Sequence, residues 1–315
     1  MHIVDRYPLA EDVFAIVIAG NGGARLRDFA PGAHVEVKVP GGVRAYSICN
    51  LHGVRDHYLL AIHNSPLSRG GARYLCEACH VGDAVQIRGP NNLFPLTTTH
   101  SHAVLIAGGI GITPIIGMAD HLAHLGVDFE MHYSARTGTA AAFVDRLHDA
   151  AYRNRVHFHF RDDPGLERLN LEDLLGRLDV SQHVYLCGPS PMLVEAVELS
   201  ERFGLRDRLH CERFAAGHPH SVTDDATGSF DVLAARSGLR IAVPKNCTIA
   251  AALQLAGVDV PLSCEQGVCG MCQMRVLDGI PDHRDVFLSD AERVASDVIL
   301  PCVSRAKSAT ITLDI

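Results

Sequence analysis

The sequence CEQGVCGMC, residues 264–272, contains three cysteines in the pattern C-x4-C-x2-C, and a fourth cysteine follows in LPCVS. Four thiolates at this spacing form the ligand set of a 2Fe-2S cluster, because a tight loop supplies three sulfur atoms and a distant segment folds back with the fourth. Gly267 and Gly270 let the loop curl and bring backbone N–H groups close to the sulfur atoms. The sequence therefore predicts a cluster, and a domain built around it, with the ligands Cys264, Cys269, Cys272 and Cys302.

Structural zinc is the alternative for these cysteines, and thiols without a metal are a second one. Zinc sites usually pair two C-x2-C units, and a four-residue gap that contains a glycine suits them poorly. From about Ser229 to Ile315 the chain resembles a plant-type ferredoxin, which implies a small α+β domain of the β-grasp fold. We expect a strand pair in 229–244, a short helix from Thr248 to Ala256, and strands in MRVL and ATITLDI.

Length and composition bound the rest of the chain. Its 315 residues suffice for about three domains of roughly 100 residues each. Hydrophobic residues make up 47% and charged residues 20%, and no apolar run is long enough for a membrane span. The first residues lack the basic and apolar segments of a signal peptide, so we expect a cytoplasmic protein without membrane contact. The net charge of -8 argues against nucleic-acid binding.

Ten cysteines in a reducing compartment are more often metal ligands or buried thiols than disulfides. Six of them lie outside the cluster motif, and we expect them to be buried structural thiols. They are Cys49, Cys76, Cys79, Cys187, Cys211 and Cys247.

Three kinds of sequence follow one another along the chain. Residues 1–99 contain short β-rich runs between Gly, Pro and Asn, which predicts an antiparallel β-barrel or sandwich. Residues 100–224 alternate strands with helices and predict a parallel α/β domain. The polar stretch at 215–228 predicts a linker, and residues 229–315 form the third domain.

A 2Fe-2S cluster carries single electrons and cannot accept a hydride, so a chain fed by a nicotinamide needs a flavin as converter. Arg44, Tyr46 and Ser47 form the pattern R-x-Y-S, which resembles the flavin signature of the ferredoxin-reductase superfamily. This resemblance implies that Tyr46 packs on the isoalloxazine ring, Ser47 lies near its N5 atom and Arg44 meets the phosphate or ribityl region. Alone, the tetrapeptide also fits an ordinary strand with a solvated arginine.

A second flavin segment follows about twenty residues later in SPLSRGGARYL. Its backbone N–H groups and one cation are suited to a phosphate, although a surface turn is the alternative. The predicted residues are Ser68, Arg69, Gly70 and Gly71. The order of the domains resembles the family of phthalate dioxygenase reductase and vanillate demethylase reductase, which carries FMN. That family usually has Ser or Thr soon after the paired glycines, where this chain has Ala72.

Two segments of the α/β domain predict a nicotinamide site. AGGIGITP lies where a strand gives way to a helix, so its glycines can admit a pyrophosphate against the helix N-terminus. A turn used only for packing would look similar. CGPSPML resembles the C-G-P motif that lies beside the nicotinamide ring in the superfamily. Together they predict as binding residues Gly108, Gly109, Gly111, Thr113, Pro114, Cys187, Gly188, Pro189 and Met192.

Three further residues complete the predicted site. Phe214, in CERF, resembles the aromatic cover of the flavin in an E-x-F segment, with simple core packing as the alternative. Ser134 and Arg136 follow a predicted strand at the expected adenosine ribose. Asp162 and Asp163 would repel a 2′-phosphate, which favours NADH over NADPH.

The nineteen histidines show no spacing typical of a mononuclear iron or zinc site, and we expect them to be surface or strand residues. No hydrolase motif is present. The sequence thus predicts a monomeric reductase of a multicomponent oxygenase, with electrons passing from NADH through FMN and the cluster to a Rieske-type non-haem iron oxygenase. A haem monooxygenase as the acceptor and a redox-sensing protein are the alternatives. The expected docking surface surrounds the cluster loop at Glu265, Gln266 and Met271.

Overall fold

The computed structural model describes all residues of the chain except 41, 52, 66–69, 98–101, 213, 215–227, 246, 263–266, 268–269, 271, 286 and the side chain of residue 290. Two compact units are present, Met1–Phe214 and Ala215–Ile315. In the described part of the chain no helix has both the length and the apolar character needed to span a membrane.

The first unit begins with two antiparallel three-stranded sheets, ordered β1-β2-β5 and β4-β3-β6. In β3, the valines at 35, 37 and 39 are buried while Glu36 and Lys38 point outward, which is the period-two pattern of a sheet with one buried face. Single bridges join Ile48 to Leu60 and His2 to Ala84, so that the two sheets meet at both ends as in a barrel. The strands are β1 His2–Ala10, β2 Val13–Ala19, β3 His34–Val39, β4 Gly42–Ser47, β5 His57–His63 and β6 Ile87–Asn91.

One helical segment of this region was not predicted. α1 spans Gly71–Arg73 and continues as a wider helical turn over Tyr74–Ala78. The sequence SPLSRGGARYL predicts only a turn, because paired glycines interrupt helical patterns. The apolar Leu75 and Cys76 are buried against the barrel and hold the segment in place.

A five-stranded parallel sheet with the order β11-β10-β7-β8-β9 completes the first unit. Its central strands are apolar on both faces because helices cover both sides. The strands are β7 His102–Gly108, β8 Asp128–Ala135, β9 Val156–Phe160, β10 Gln182–Cys187 and β11 Leu209–Glu212. The helices are α2 Ile112–Leu125, α3 Val144–Asp149, α4 Leu171–Gly176 and α5 Ser190–Arg202. The parallel α/β fold expected from the alternation is confirmed.

The second unit contains a mixed five-stranded sheet with the order β13-β12-β18-β14-β16 and a small β15-β17 pair. Thr248 caps its first helix by accepting a hydrogen bond from the backbone N–H of Ala251. The elements are β12 Phe230–Ala234, β13 Leu239–Val243, α6 Ile249–Leu255, β14 Met274–Asp278, β15 Pro281–Asp282, α7 Asp290–Ala295, β16 Val298–Ile299, β17 Arg305–Ala306 and β18 Thr310–Leu313. The α+β fold expected for this part of the chain is confirmed, while the domain bounds 1–99, 100–224 and 229–315 stay predictions.

Candidate functional site

Two of the four predicted cluster ligands lie side by side in the core of the second unit. Sγ of Cys272 is 3.2 Å from Sγ of Cys302, and both residues are buried. The other two, Cys264 and Cys269, lie outside the described residues. Two thiols that converge from separate segments form half of the tetrathiolate set that a 2Fe-2S cluster requires, so the chain fits this cofactor.

The two glycines of the cluster loop are required by its path. Both have left-handed backbone angles, with φ of 73° at Gly267 and 71° at Gly270. A Cβ atom at Gly270 would lie 2.2 Å from the ring of Phe287, and one at Gly267 would lie 2.8 Å from the Cα of Asp285. Both glycines therefore lie directly against the body of the unit, and no larger residue fits at either point.

The segment that follows Cys302 is held by a buried carboxylate. Asp285 Oδ2 accepts a hydrogen bond from the backbone N–H of Leu288 at 2.8 Å, and its Oδ1 accepts one from Ser304 Oγ at 3.2 Å. Arg305 is also buried and donates to the carbonyl oxygens of Gly228 and Pro244. These contacts fix the turn between β16 and β17 that carries Cys302.

The end of β4 presents the three residues predicted for the flavin. Tyr46 is half-buried on the barrel core, and burial raises its pKa to about 12. Ser47 is buried, and its Oγ has no hydrogen-bond partner within the described part of the chain. A buried hydroxyl without a partner is costly, so its position fits a ligand that supplies the missing hydrogen bond.

Arg44 and Gly71 come together, as expected if both serve one phosphate. A Cβ atom at Gly71 would lie 2.9 Å from Cγ of Arg44 and 3.0 Å from a methyl group of Val39. Glycine at this position therefore lets the start of α1 approach the arginine. Gly70 has a φ of 92° and open space around its Cα, while Ser68 and Arg69 lie outside the described residues.

The predicted nicotinamide segments meet at the point where the order of the parallel sheet reverses. β7 is followed in the chain by its neighbour β8, whereas β10 lies on the other side of β7. Open α/β sheets bind ligands in the crevice at the carboxyl ends of the strands that flank such a switch point. The glycine-rich turn follows β7 and the C-G-P segment follows β10, so both line this crevice.

The two segments touch through their glycines. A Cβ atom at Gly111 would lie 2.2 Å from the carbonyl oxygen of Cys187, and one at Gly108 would lie 2.6 Å from Pro189. One at Gly188 would lie 2.8 Å from the sulfur of Met192. Three of the glycines thus have a packing role.

The remaining residues of the glycine-rich segment are placed differently. Gly109 has a φ of 54° and open space beyond its Cα. Thr113 and Pro114 are buried in the first turn of α2, where Thr113 Oγ1 donates to the carbonyl oxygen of Ile110 at 3.0 Å. Of this segment, Gly109 alone leaves room for a ligand beside its Cα.

A buried carboxyl group that the sequence analysis did not select lies beside Cys187. Glu212 of β11 pairs directly with Cys187 of β10. Burial raises the pKa of Glu212 to about 8, and its Oε2 has no hydrogen-bond partner in the described structure. Burial, with Glu212 next in effect, also raises the pKa of the Cys187 thiol well above its usual value. In the sequence, the only signal for this group is the acidic residue in CERF. Its burial at the end of a strand depends on the tertiary structure, so the sequence alone did not predict it.

Phe214 follows β11, at one edge of the parallel sheet. The residues predicted to contact the adenosine ribose lie at the end of β8, on the other side of β7. Phe214 is half-buried against the cluster of apolar side chains that includes Cys187, so its packing role is present. Ser134 is half-buried and Arg136 is exposed at the end of β8. The carbonyl oxygen of Arg136 accepts from the backbone N–H of Asp162 at 2.9 Å, and Asp163 accepts from Gly138 at 2.7 Å. The two acids therefore adjoin the predicted ribose position.

A cleft of about 640 Å³ lies elsewhere in the first unit, and the predicted cofactor residues do not line it. Arg146, at its wall, donates to the carbonyl oxygen of Cys49 at 2.6 Å and pairs with Asp120. Tyr152 also donates to Asp120, at 2.6 Å. Because Cys49 follows β4 and Asp120 lies in α2, this network joins the antiparallel sheets to the α/β part of the unit.

This chain is similar to several known proteins. Residues 232–307 match the family described as a 2Fe-2S iron-sulfur cluster binding domain. Vanillate O-demethylase oxidoreductase of Pseudomonas sp. strain HR199 is 43% identical over 98% of this chain and 96% of its own length. The structure of phthalate dioxygenase reductase, described as modular for electron transfer from pyridine nucleotides to 2Fe-2S, is 33% identical with a TM-score of 0.69 and covers 100% of this chain and 97% of that one.

A third similar protein is an intact type IV self-sufficient cytochrome P450 monooxygenase. Its structure is 34% identical to this chain with a TM-score of 0.77. The match covers 100% of this chain and 40% of that one, so the chain spans about two fifths of that protein's length.

Proposed function

The chain belongs to the family of vanillate demethylase reductase and phthalate dioxygenase reductase, and we propose that it delivers electrons to a Rieske-type non-haem iron oxygenase. Family membership makes it an oxidoreductase and the reductase component of an oxygenase system, as the sequence predicted. Its cofactors are a 2Fe-2S cluster, FMN and NADH. The type of acceptor and the residues that bind FMN and NADH belong to the proposal.

One observation carries this proposal. A crevice at the switch point of a parallel sheet and a converging pair of cluster cysteines occur in the same chain. A nucleotide site supplies electrons as hydride, whereas a cluster carries them singly, and bound FMN supplies the conversion between the two. The unsatisfied hydroxyl of Ser47, beside Tyr46, supports the end of β4 as the place where FMN binds.

The residues of the chain have separate tasks in this account. The turn at Gly109 and the C-G-P segment at Cys187 receive the nicotinamide, and the buried Cys187 remains an uncharged thiol. Arg44 and the start of α1 at Gly71 would hold the phosphate of FMN, and Ser47 would form a hydrogen bond at the flavin ring. Phe214 would cover that ring and would have to move to admit a nicotinamide.

NADH is favoured over NADPH by the charge at the adenosine end. Asp163 lies within hydrogen-bond distance of Gly138, and the backbone of Asp162 is bonded to that of Arg136. A 2′-phosphate placed near Arg136 would meet both carboxylates, and like charges repel at short range. We therefore propose that Ser134 and Arg136 contact the adenosine ribose of NADH.

Two observations bear on the acceptor. Similarity over nearly the whole length of a vanillate demethylase oxidoreductase supports a Rieske-type oxygenase. The equally extensive match to part of a cytochrome P450 monooxygenase supports a haem enzyme as the second candidate. In both cases the acceptor takes single electrons, so the chemistry of this chain is the same.

Reconstitution distinguishes the two candidates. The purified chain, reduced with NADH without oxygen, is mixed with the oxygenase encoded by the neighbouring gene, and the acceptor is followed by low-temperature EPR and absorbance. Appearance of a reduced Rieske signal supports the proposal. Reduction of a haem, or an acceptor that carries no Rieske cluster, contradicts it.

We also propose that the chain acts in the cytoplasm as a monomer and that its partner docks around the cluster loop. The reducing cytoplasm suits its ten cysteines. The net charge of -8 suits a basic patch on the partner. The docking residues Glu265, Gln266 and Met271 lie outside the described residues and stay a prediction.

A further inference from the structure

A group of imidazole rings and one carboxylate lies on a face of the parallel sheet, next to Ser134, a predicted cofactor residue that pairs with His159. Glu130 and His132 belong to β8, and His157 and His159 belong to β9. Side chains two residues apart on a strand point to the same face. Because His132 pairs with His157 in the parallel register, all four side chains share one face.

Three of these residues place potential metal ligands close together. One ligand atom from each of Glu130, His132 and His157 lies within 4.8 Å of the others. The rings of His132 and His157 are nearly parallel, with centroids 4.9 Å apart. Two imidazoles and one carboxylate are the ligand types that zinc and similar divalent ions prefer.

Hydrogen bonds indicate which nitrogen carries the proton in the rings of His159 and His132. His159 Nδ1 lies 3.2 Å from the carbonyl oxygen of Glu167, which can only accept, so this nitrogen is the donor. In a neutral ring Nε2 of His159 is then the acceptor, and it lies 3.0 Å from Nδ1 of His132. His132 therefore donates through Nδ1, and its Nε2 carries a lone pair.

That lone pair has no suitable partner. His132 is only 5% exposed, and its Nε2 makes no hydrogen bond in the described structure. The facing polar atom, Glu130 Oε2 at 3.5 Å, is also an acceptor when the carboxyl group is ionised. A buried acceptor that faces a second, half-buried acceptor is unfavourable unless a proton or a metal ion lies between them.

We propose that Glu130, His132 and His157 bind a divalent metal ion of the zinc type, with Nε2 of His132 as the buried ligand. His159 is a positioning residue, since it holds the His132 ring through Nδ1 as partners of metal-bound imidazoles commonly do. His157 is exposed, so an ion can enter from solvent and the fourth coordination position is open to water. The site ties the edge strand β9 to β8.

One positive group competes with the ion. Nη2 of Arg177 lies 3.1 Å from Glu130 Oε2, but the arginine side chain is 58% exposed. An exposed ion pair of this kind contributes little to stability, so Arg177 can move into solvent when a metal binds. The other outcome is a proton on His132 Nε2, which would form an ion pair with Glu130 and exclude the metal.

Cobalt(II) binding to the holoenzyme tests the proposal, because its absorption bands distinguish nitrogen and oxygen ligands from thiolates. The wild type is compared with His157→Ala, with Glu130→Gln, and with His80→Ala as a control at an exposed histidine paired only with Asp83. Circular dichroism verifies that each variant is folded. We expect one cobalt ion per chain, without a sulfur-to-cobalt band, that Zn²⁺ displaces. Loss of either ligand should weaken binding at least about tenfold, and His80→Ala should leave it unchanged.

Three results would overturn the proposal. They are no cobalt uptake at millimolar concentration, equal affinity in all four proteins, and a thiolate band that survives in His157→Ala. Histidine NMR gives an independent measurement: an imidazolium at His132 that persists in the presence of Zn²⁺ would show that a proton occupies the position. Neither measurement depends on FMN, NADH or turnover.

Discussion

Sγ of Cys272 lies 3.2 Å from Sγ of Cys302, although the first residue belongs to the cluster loop and the second follows β16 in another part of the unit. Folding of this unit therefore brings the two sulfur atoms together through the packing of its own core. Ser304, two residues after Cys302, is bonded to Asp285, and Gly270, two residues before Cys272, lies against the ring of Phe287.

Replacing Cys302 by serine should separate the two halves of the electron path. We expect the variant to lose the cluster and its reduction of cytochrome c to fall about a hundredfold or more, because the single-electron carrier is absent. Ferricyanide reduction with NADH should remain, since the first unit is unchanged. Cys247→Ser, at a half-buried cysteine of the same unit, is the control and should keep both activities. Loss of both activities in a folded Cys302→Ser protein would contradict the order of carriers.

Replacing Ser47 by alanine should slow hydride transfer without cost to stability. The hydroxyl has no protein partner in the described structure, so its removal should change the free energy of unfolding by about 0.5 kcal/mol or less. A hydrogen bond to a charged group is worth about 1.5–3 kcal/mol, which predicts a roughly 10- to 150-fold slower flavin reduction in stopped-flow measurements. An unchanged rate would show that Ser47 makes no such hydrogen bond to the flavin.

Replacing Glu212 by glutamine should change how stability depends on pH. The carboxyl group keeps its proton to about pH 8 in the folded chain, whereas the unfolded chain releases it near pH 4.5. Between these values the folded state binds more protons, so the wild type loses about 1 kcal/mol of stability for each pH unit as the pH rises. The glutamine variant lacks this loss.

Thermal unfolding from pH 5 to pH 8 measures the difference. We expect the Tm of Glu212→Gln to exceed that of the wild type by a margin that grows by about 2–4 °C per pH unit. Other titrating groups, such as His34 with its pKa lowered by burial, are common to both proteins and cancel in the comparison. A constant Tm difference across this range would show that Glu212 is ionised in the folded chain.

Replacing Gly111 by alanine should damage the nicotinamide crevice by steric overlap alone. The backbone there has φ of −62°, which alanine tolerates, but the new Cβ would lie 2.2 Å from the carbonyl oxygen of Cys187. We expect a loss of about 1–3 kcal/mol in stability and a higher KM for NADH. Gly117→Ala, within the helix that begins just after Gly111, is the control, since its Cβ would be 3.7 Å from the nearest atom. That variant should be neutral or up to about 1 kcal/mol more stable. Equal effects of the two substitutions would contradict the contact.

The sequence predicted those features that depend on local pattern. The C-x4-C-x2-C spacing fixed the expected ligands, and the alternation of apolar runs with glycine turns predicted the parallel sheet through β7 and β10. Thr248 and the apolar run after it predicted α6. These succeed because spacing, capping and periodicity act over a few residues.

Features that depend on contacts between distant residues were not predictable. Glu212 became a buried carboxyl only because β11 pairs with β10 at Cys187. The histidines of HFHF were expected to be strand or surface residues, which β9 confirms, but their meeting with Glu130 and His132 depends on the register of two strands. Likewise, the packing role of Gly111 requires the loop after β10, which lies far along the chain.

An anaerobic titration with NADH, followed by absorbance and low-temperature EPR, tests the central claim most directly. The account predicts that both the flavin and the iron-sulfur absorption bleach, that a reduced 2Fe-2S signal appears, and that chromatography of the released flavin identifies one FMN per chain. A protein that contains zinc in place of the cluster, contains no flavin, or does not react with NADH would contradict it.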